Sequence, residues 1–132
     1  MWLYEIVTGR FSRDVPSGVE LLAIGYSGYE FGKNAATQQP VRNVGPLPTG
    51  AYWIGEARDT PEHGPVVMPL MPVPQFATYG RSGFLIHGDS IARPGGASHG
   101  CIILPRPVRE RIAGSSDRGL IVITGTIPPR SL

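Results

Sequence analysis

A mainly β fold, a β-sandwich or partly open barrel of short strands with one short helix after the sole cysteine, is what this sequence predicts. Three observations carry that reading. Short apolar segments recur at residues 2–7, 19–24, 51–54, 84–86, 101–104 and 120–124, a length that suits strands better than helices. Turn-forming pairs lie between them: Ser17-Gly18, Ser27-Gly28, Gly45-Pro46, Thr49-Gly50 and Ser82-Gly83. Only residues 107–113 have helical spacing, and many strands with one helix point to a packed or closed sheet.

The opening segment sets Trp2, Leu3, Tyr4, Ile6 and Val7 around Glu5, and residues 19–24 follow it as a second strand. Residues 29–43 are polar and without period, which predicts a long ordered loop over one sheet edge. Residues 66–73 are apolar but interrupted by Pro69 and Pro72. A proline donates nothing to a ladder, so this stretch is expected at an edge or as an extended segment. In the helix, Pro107 suits the first turn, Val108 and Ile112 share a face, and Gly114 can end it.

A chain of 132 residues makes one domain, 1–132, with a core large enough to dispense with disulfides. The 18 glycines and 14 prolines are dispersed, and 41% hydrophobic against 17% charged residues excludes an unfolded chain. No internal repeat or linker is visible. Twelve basic residues against ten acidic ones leave +2 without a basic run, so no nucleic-acid partner is expected. Eleven of the twelve are Arg, which suits carboxylate contacts and equally reflects coding bias. The longest uninterrupted apolar runs are four residues, far short of a membrane span. The start, Met1-Trp2-Leu3-Tyr4-Glu5, lacks the features of a signal peptide, so the expectation is synthesis in the cytoplasm without a Sec address.

Chemistry concentrates in one window. It contains Ile86-His87-Gly88-Asp89, then Ala97-Ser98-His99-Gly100-Cys101-Ile102. A free thiol is a poor nucleophile until a neighbouring base or cation helps it become thiolate. His87 ends one strand-like segment and Cys101 opens another, so pairing of the two would bring them together. Gly100 would let a substrate carbonyl approach the backbone, where amides of Gly100 and Cys101 can hold an oxyanion. Taken singly, Cys101 also reads as a small buried hydrophobe and His87 as a hydrogen-bonded turn residue. His63, outside the window and next to Gly64, reads as a turn residue. A zinc site from His87, Asp89, His99 and Cys101 is the competing chemistry, although a structural site has no need of Gly100.

At these residues the chain resembles a family. Ser98-His99-Gly100-Cys101-Ile102 with His87-Gly88 upstream is similar to the active-site motif of YkuD-type L,D-transpeptidases. Residues 45–54, with Pro48-Thr49-Gly50, resemble that family's Pro-Thr-Gly-x-aromatic segment. Together with Tyr26-Ser27-Gly28 and Lys33-Asn34, the pattern is closest to the small branch of type VI secretion L,D-transpeptidase effectors, over roughly residues 26–112. Thirteen residues separate His87 from Cys101, fewer than in housekeeping relatives, and Ile103 stands where those often carry Arg.

The resemblance implies a peptidoglycan enzyme without a cofactor. Cys101 attacks the carbonyl between meso-diaminopimelate and D-Ala of a tetrapeptide stem, and His87 acts as base. The Gly88 carbonyl orients His87, and the amides of His99, Gly100 and Cys101 form the oxyanion hole. His99 is the rival base, because residues two apart on a strand share a face unless a turn intervenes. Around the nucleophile, Ser98, Asp89, Arg93, Tyr29 and Tyr79 are candidate substrate contacts. Asp89 and Arg93 read equally as solvated loop charges, Ser98 as a loop fixer, and Trp53 as core. The short loop predicts an open groove at the sulfur, favouring hydrolysis and D-amino-acid exchange over cross-linking. The resemblance further implies a secretion-apparatus carrier, action in a target cell's periplasm, and an immunity protein in the producer. A wall-binding module without turnover remains the alternative.

Overall fold

The computed structural model describes residues 1–74 and 78–125. Ten strands and one helix follow in order: β1 (Trp2–Glu5), β2 (Arg10–Val15), β3 (Gly18–Ile24), β4 (Tyr26–Ser27), β5 (Gly50–Ile54), β6 (Arg58–Thr60), β7 (Gly64–Pro72), β8 (Leu85–His87), β9 (Ile102–Ile103), α1 (Arg106–Ala113) and β10 (Gly119–Ile123). They form one open mixed sheet in the order β3-β2-β1-β10-β5-β7-β8-β9-β4, with β6 paired to β7. Two pairs are parallel, β1 with β10 and β8 with β9. The fold is mainly β with a single helix, as the segment pattern predicts. No helix among the described residues is long and apolar enough to cross a membrane.

Alternation decides the core. Trp2, Tyr4, Phe11, Ile54, Met68, Ile86, Ile102 and Leu120 meet on the inner side, with Ile112 of α1 packed among them. Burying each such side chain contributes about 1.5–3 kcal/mol. In α1, Pro107 lies in the first turn, where a missing N–H costs nothing, and Gly114 closes the last.

Two departures concern the strands. All but the last of residues 66–73 belong to β7, which is central, lying between β5 and β8. Its two prolines are accommodated because β7 divides its pairing, meeting β8 at Met68 and Pro69 and β5 at Leu70–Pro72. Pro69 contributes only its carbonyl, which accepts the Gly55 amide at 2.8 Å. The other departure is β2, whose sequence Arg-Phe-Ser-Arg-Asp-Val carries little apolar signal and is held by pairing with both β1 and β3. The predicted loop at 29–43 contains two 3-10 turns, Glu30–Gly32 and Ala36–Gln38.

Candidate active site

The parallel pairing of β8 and β9 puts Ile86 beside Ile102. Both are fully buried on the core side. Their neighbours in sequence, His87 and Cys101, therefore share the opposite face of the pair. Cys101 stands one residue before β9 and is the protein's single cysteine.

His87 is held by its own backbone neighbour. Its Nδ1 lies 2.8 Å from the Gly88 carbonyl oxygen. A carbonyl only accepts, so Nδ1 carries the proton and the lone pair resides on Nε2. That Nε2 is buried and has no hydrogen-bond partner. Burial pushes the His87 pKa below the usual imidazole value, and the charges of His63 and Arg109 act in the same direction. The Gly88 hydrogen bond and Asp89 oppose them without prevailing. At neutral pH the result is an uncharged imidazole with a free basic nitrogen.

The thiol is also uncharged at rest. Burial pushes Cys101 up to about 11, against the pull of the Leu85 backbone and the charge of Arg81. The sulfur opens on a small cleft lined by Arg42, Asn43, Arg81, His99 and Gly100. The open groove expected from the short loop is thus a narrow cleft, because Arg81 and the Arg42-Asn43 loop close on the turn before Cys101. A larger groove of about 660 Å³, lined by Trp53, Ile54, Glu56, Ser115, Ser116 and Arg118 among others, contains neither Cys101 nor a histidine. Trp53 is 57% exposed, so it is not the core residue that its size suggests.

Arg81 is the residue that sequence reasoning missed. Although buried, its guanidinium donates to three carbonyls, Gln39 at 2.6 Å, Pro46 at 2.8 Å and Gly45 at 2.9 Å. It thereby ties the 39–46 loop to the Cys101 turn. Gly100 has φ +128°, and a Cβ there would run into the Arg81 guanidinium. Glycine is required at this position on both counts. Ile103 is buried and paired beside His87, and the positive charge near the sulfur comes from Arg81.

The remaining candidates have clear places. Ser98 is fully buried, where its hydroxyl serves the loop. Its hydroxyl donates to the Cys101 carbonyl at 2.6 Å and accepts from the amides of Gly28 and Gly100. The Gly100 amide is therefore engaged by Ser98 at 3.2 Å. Asp89 accepts from the Tyr26 hydroxyl and from the amides of Ser90 and Gly95, bracing the loop instead of facing the cleft. Burial would raise its pKa, yet these bonds and Lys33 outweigh it and the carboxyl stays below its usual range.

Arg93 is exposed on the same loop and lies outside the cleft lining. Tyr29 stacks on His99 with ring centres 4.6 Å apart, and His99 Nδ1 donates to the Asn43 carbonyl at 3.0 Å. Tyr79 is exposed and does not line the cleft. The turn at Gly100 also breaks the strand relation that made His99 a rival base. Among the described residues no three His, Cys, Asp or Glu side chains converge as metal ligands. The four candidate zinc ligands are dispersed, since Asp89 is bound to its own loop and His99 to Asn43.

Comparison with known proteins agrees with this picture. No curated protein sequence matches the chain. Among solved structures it is similar to Bd1075 of Bdellovibrio bacteriovorus, with a TM-score of 0.60 at 12% identity. That superposition covers 95% of this chain and 47% of the other, so this chain spans about half of that protein's length. At such identity the likeness speaks for the fold alone. Residues 22–118 match the Tlde1 domain, a stretch that includes β4, His87, Arg81 and the whole Cys101 turn. The chain accordingly belongs to the Tlde1-domain family of type VI secretion L,D-transpeptidase effectors, a family of peptidoglycan-modifying enzymes.

Proposed function

We propose that the protein is a thiol L,D-carboxypeptidase and D-amino-acid exchange enzyme acting on tetrapeptide stems of peptidoglycan. The observation that carries this reading is the oriented imidazole: His87 bound through Nδ1 to Gly88, with an unpartnered Nε2 on the face that it shares with Cys101. In the first step the sulfur bonds to the carbonyl carbon of meso-diaminopimelate while Nε2 takes the thiol proton. Both groups start neutral, so transfer accompanies attack and no resting ion pair is needed. The oxyanion falls to the amides of His99 and Cys101, since that of Gly100 is occupied. Collapse breaks the C–N bond, and His87 returns the proton to the departing D-Ala amine. Water then cleaves the thioester to a tripeptide, or a D-amino acid amine replaces D-Ala.

The narrow cleft supports hydrolysis and exchange over cross-linking. A second stem must be held in near-contact geometry to attack productively, and the cleft at the sulfur has a volume of only about 60 Å³. Delivery by a secretion-apparatus carrier into a target periplasm, with an immunity protein in the producer, completes the proposal. Mass spectrometry of disaccharide tetrapeptides incubated with the protein, with and without D-Met, tests it. Tripeptides, and D-Met-terminated tetrapeptides when D-Met is present, are the expected products. Dominant 3–3 cross-linked dimers would contradict the preference, and intact substrate would point to a wall-binding module.

A further inference from the structure

His63 lies 24 positions before His87 in sequence, yet their rings meet. The centroids are 4.3 Å apart and the planes are tilted by 31°. The turn between β6 and β7 carries His63, whose amide donates to Thr60 Oγ1 at 3.0 Å. Its backbone is thus the turn residue that the sequence predicts, while its side chain is committed elsewhere.

The hairpin is held in that place at a cost. Val66 has φ +56°, a conformation that a β-branched residue adopts only under compulsion. Strain of this kind persists only where the surroundings over-determine it. Here Asp59 Oδ1 accepts the Val66 amide at 3.1 Å. On the other side, Arg109 Nη1 donates to the carbonyls of Pro65 at 2.5 Å and Val66 at 3.1 Å. Arg109 is itself buried and donates through Nε to Leu104, at the exit of β9. One side chain of α1 therefore joins the His63 hairpin to the strand pair that carries the site.

We propose that His63 is a positioning residue for His87, packed against the imidazole so that Nδ1 stays on the Gly88 carbonyl and Nε2 stays free on the face shared with Cys101. This inference rests on the reading of His87 as the base. Three titratable groups act on that imidazole: His63 from the hairpin, Arg109 from α1 and Asp89 from the following loop. Among the described residues His63 is the aromatic ring that packs against it.

Steady-state kinetics of His63→Ala and His63→Phe, together with nitrogen-detected NMR of the imidazoles, test the proposal. His63→Ala should lower kcat about tenfold through misplacement of the base, with KM within about twofold of wild type. Its acid limb should move to higher pH, because the variant loses both the covering ring and a neighbouring positive charge, each of which lowers the His87 pKa. His63→Phe retains the stack and should restore most of kcat. In wild type His87 should be a single Nδ1–H tautomer, and in His63→Ala a mixture.

Wild-type kcat with an unmoved acid limb in His63→Ala, or an unchanged tautomer, would overturn the inference. Should the Ala variant fail to fold, contacts between the two rings' protons in wild-type NOE spectra decide, and their absence overturns it. If the wild-type protein releases no D-Ala, the proposed activity fails instead, and the His87 tautomer still judges His63.

Discussion

Cys101→Ala should eliminate D-Ala release from tetrapeptide muropeptides, with a rate loss of at least about 10⁴-fold, as removal of a covalent nucleophile does elsewhere. No other thiol exists to substitute for it. His87→Ala should cost about 10²–10⁴-fold, the usual worth of a positioned base. The loss is expected because the Cys101 thiol is raised to about 11 by burial and few molecules ionise unaided at neutral pH. His99→Ala should leave measurable turnover, since its ring is engaged by Tyr29 and Asn43 and its proposed part is a backbone amide. Initial rates of D-Ala release, with circular dichroism to verify folding, separate these cases. Near wild-type turnover in His87→Ala, with His99→Ala inactive, would transfer the base role to His99.

Arg81→Ala should produce the largest loss of stability. Three buried carbonyls would lose their donor at once, and the 39–46 loop would lose its tie to the Cys101 turn. Leaving such groups unsatisfied costs on the order of 3 kcal/mol in total, which lowers Tm by about 10 °C for a domain of this size. Activity should fall as well, because the thiolate loses the cation that stabilises it. Arg81→Lys should rescue little, since a point-like ammonium cannot reproduce the planar fork that meets three acceptors. Thermal denaturation measures the effect. A Tm within about 2 °C of wild type in Arg81→Ala would contradict the bracing role.

What the sequence made legible was local or repeated. Apolar segments bounded by turn residues marked β1, β3, β5, β8, β9 and β10, and the Pro107–Gly114 pattern marked α1. The same local character exposed His87, Gly88 and Cys101 as neighbours, because two short strand-like segments carried them within one window. What stayed hidden depends on long-range pairing. β2 is polar on one side and draws its stability from two neighbours. β7 violates the edge rule for proline because its two neighbours share its length unequally. Arg81 looks like any loop arginine until the carbonyls at 39, 45 and 46 converge on it. Its position beside Phe84, over whose ring it sits at 5.6 Å, is the only local hint. His63 had a fainter signal, being one of only three histidines. Ser98 and Asp89 were found by motif, and both make the loop hydrogen bonds that short polar side chains serve as readily as substrates.

The central claim is a covalent intermediate on Cys101, and intact-mass spectrometry of rapidly acid-quenched reactions tests it most directly. With a disaccharide tetrapeptide as donor, wild-type protein should gain the mass of the donor minus D-Ala. The added group should map to Cys101, be removed by hydroxylamine, and be absent from Cys101→Ala. Turnover by wild-type protein with no adduct at Cys101 under any quench time, or turnover retained by Cys101→Ala, would contradict it.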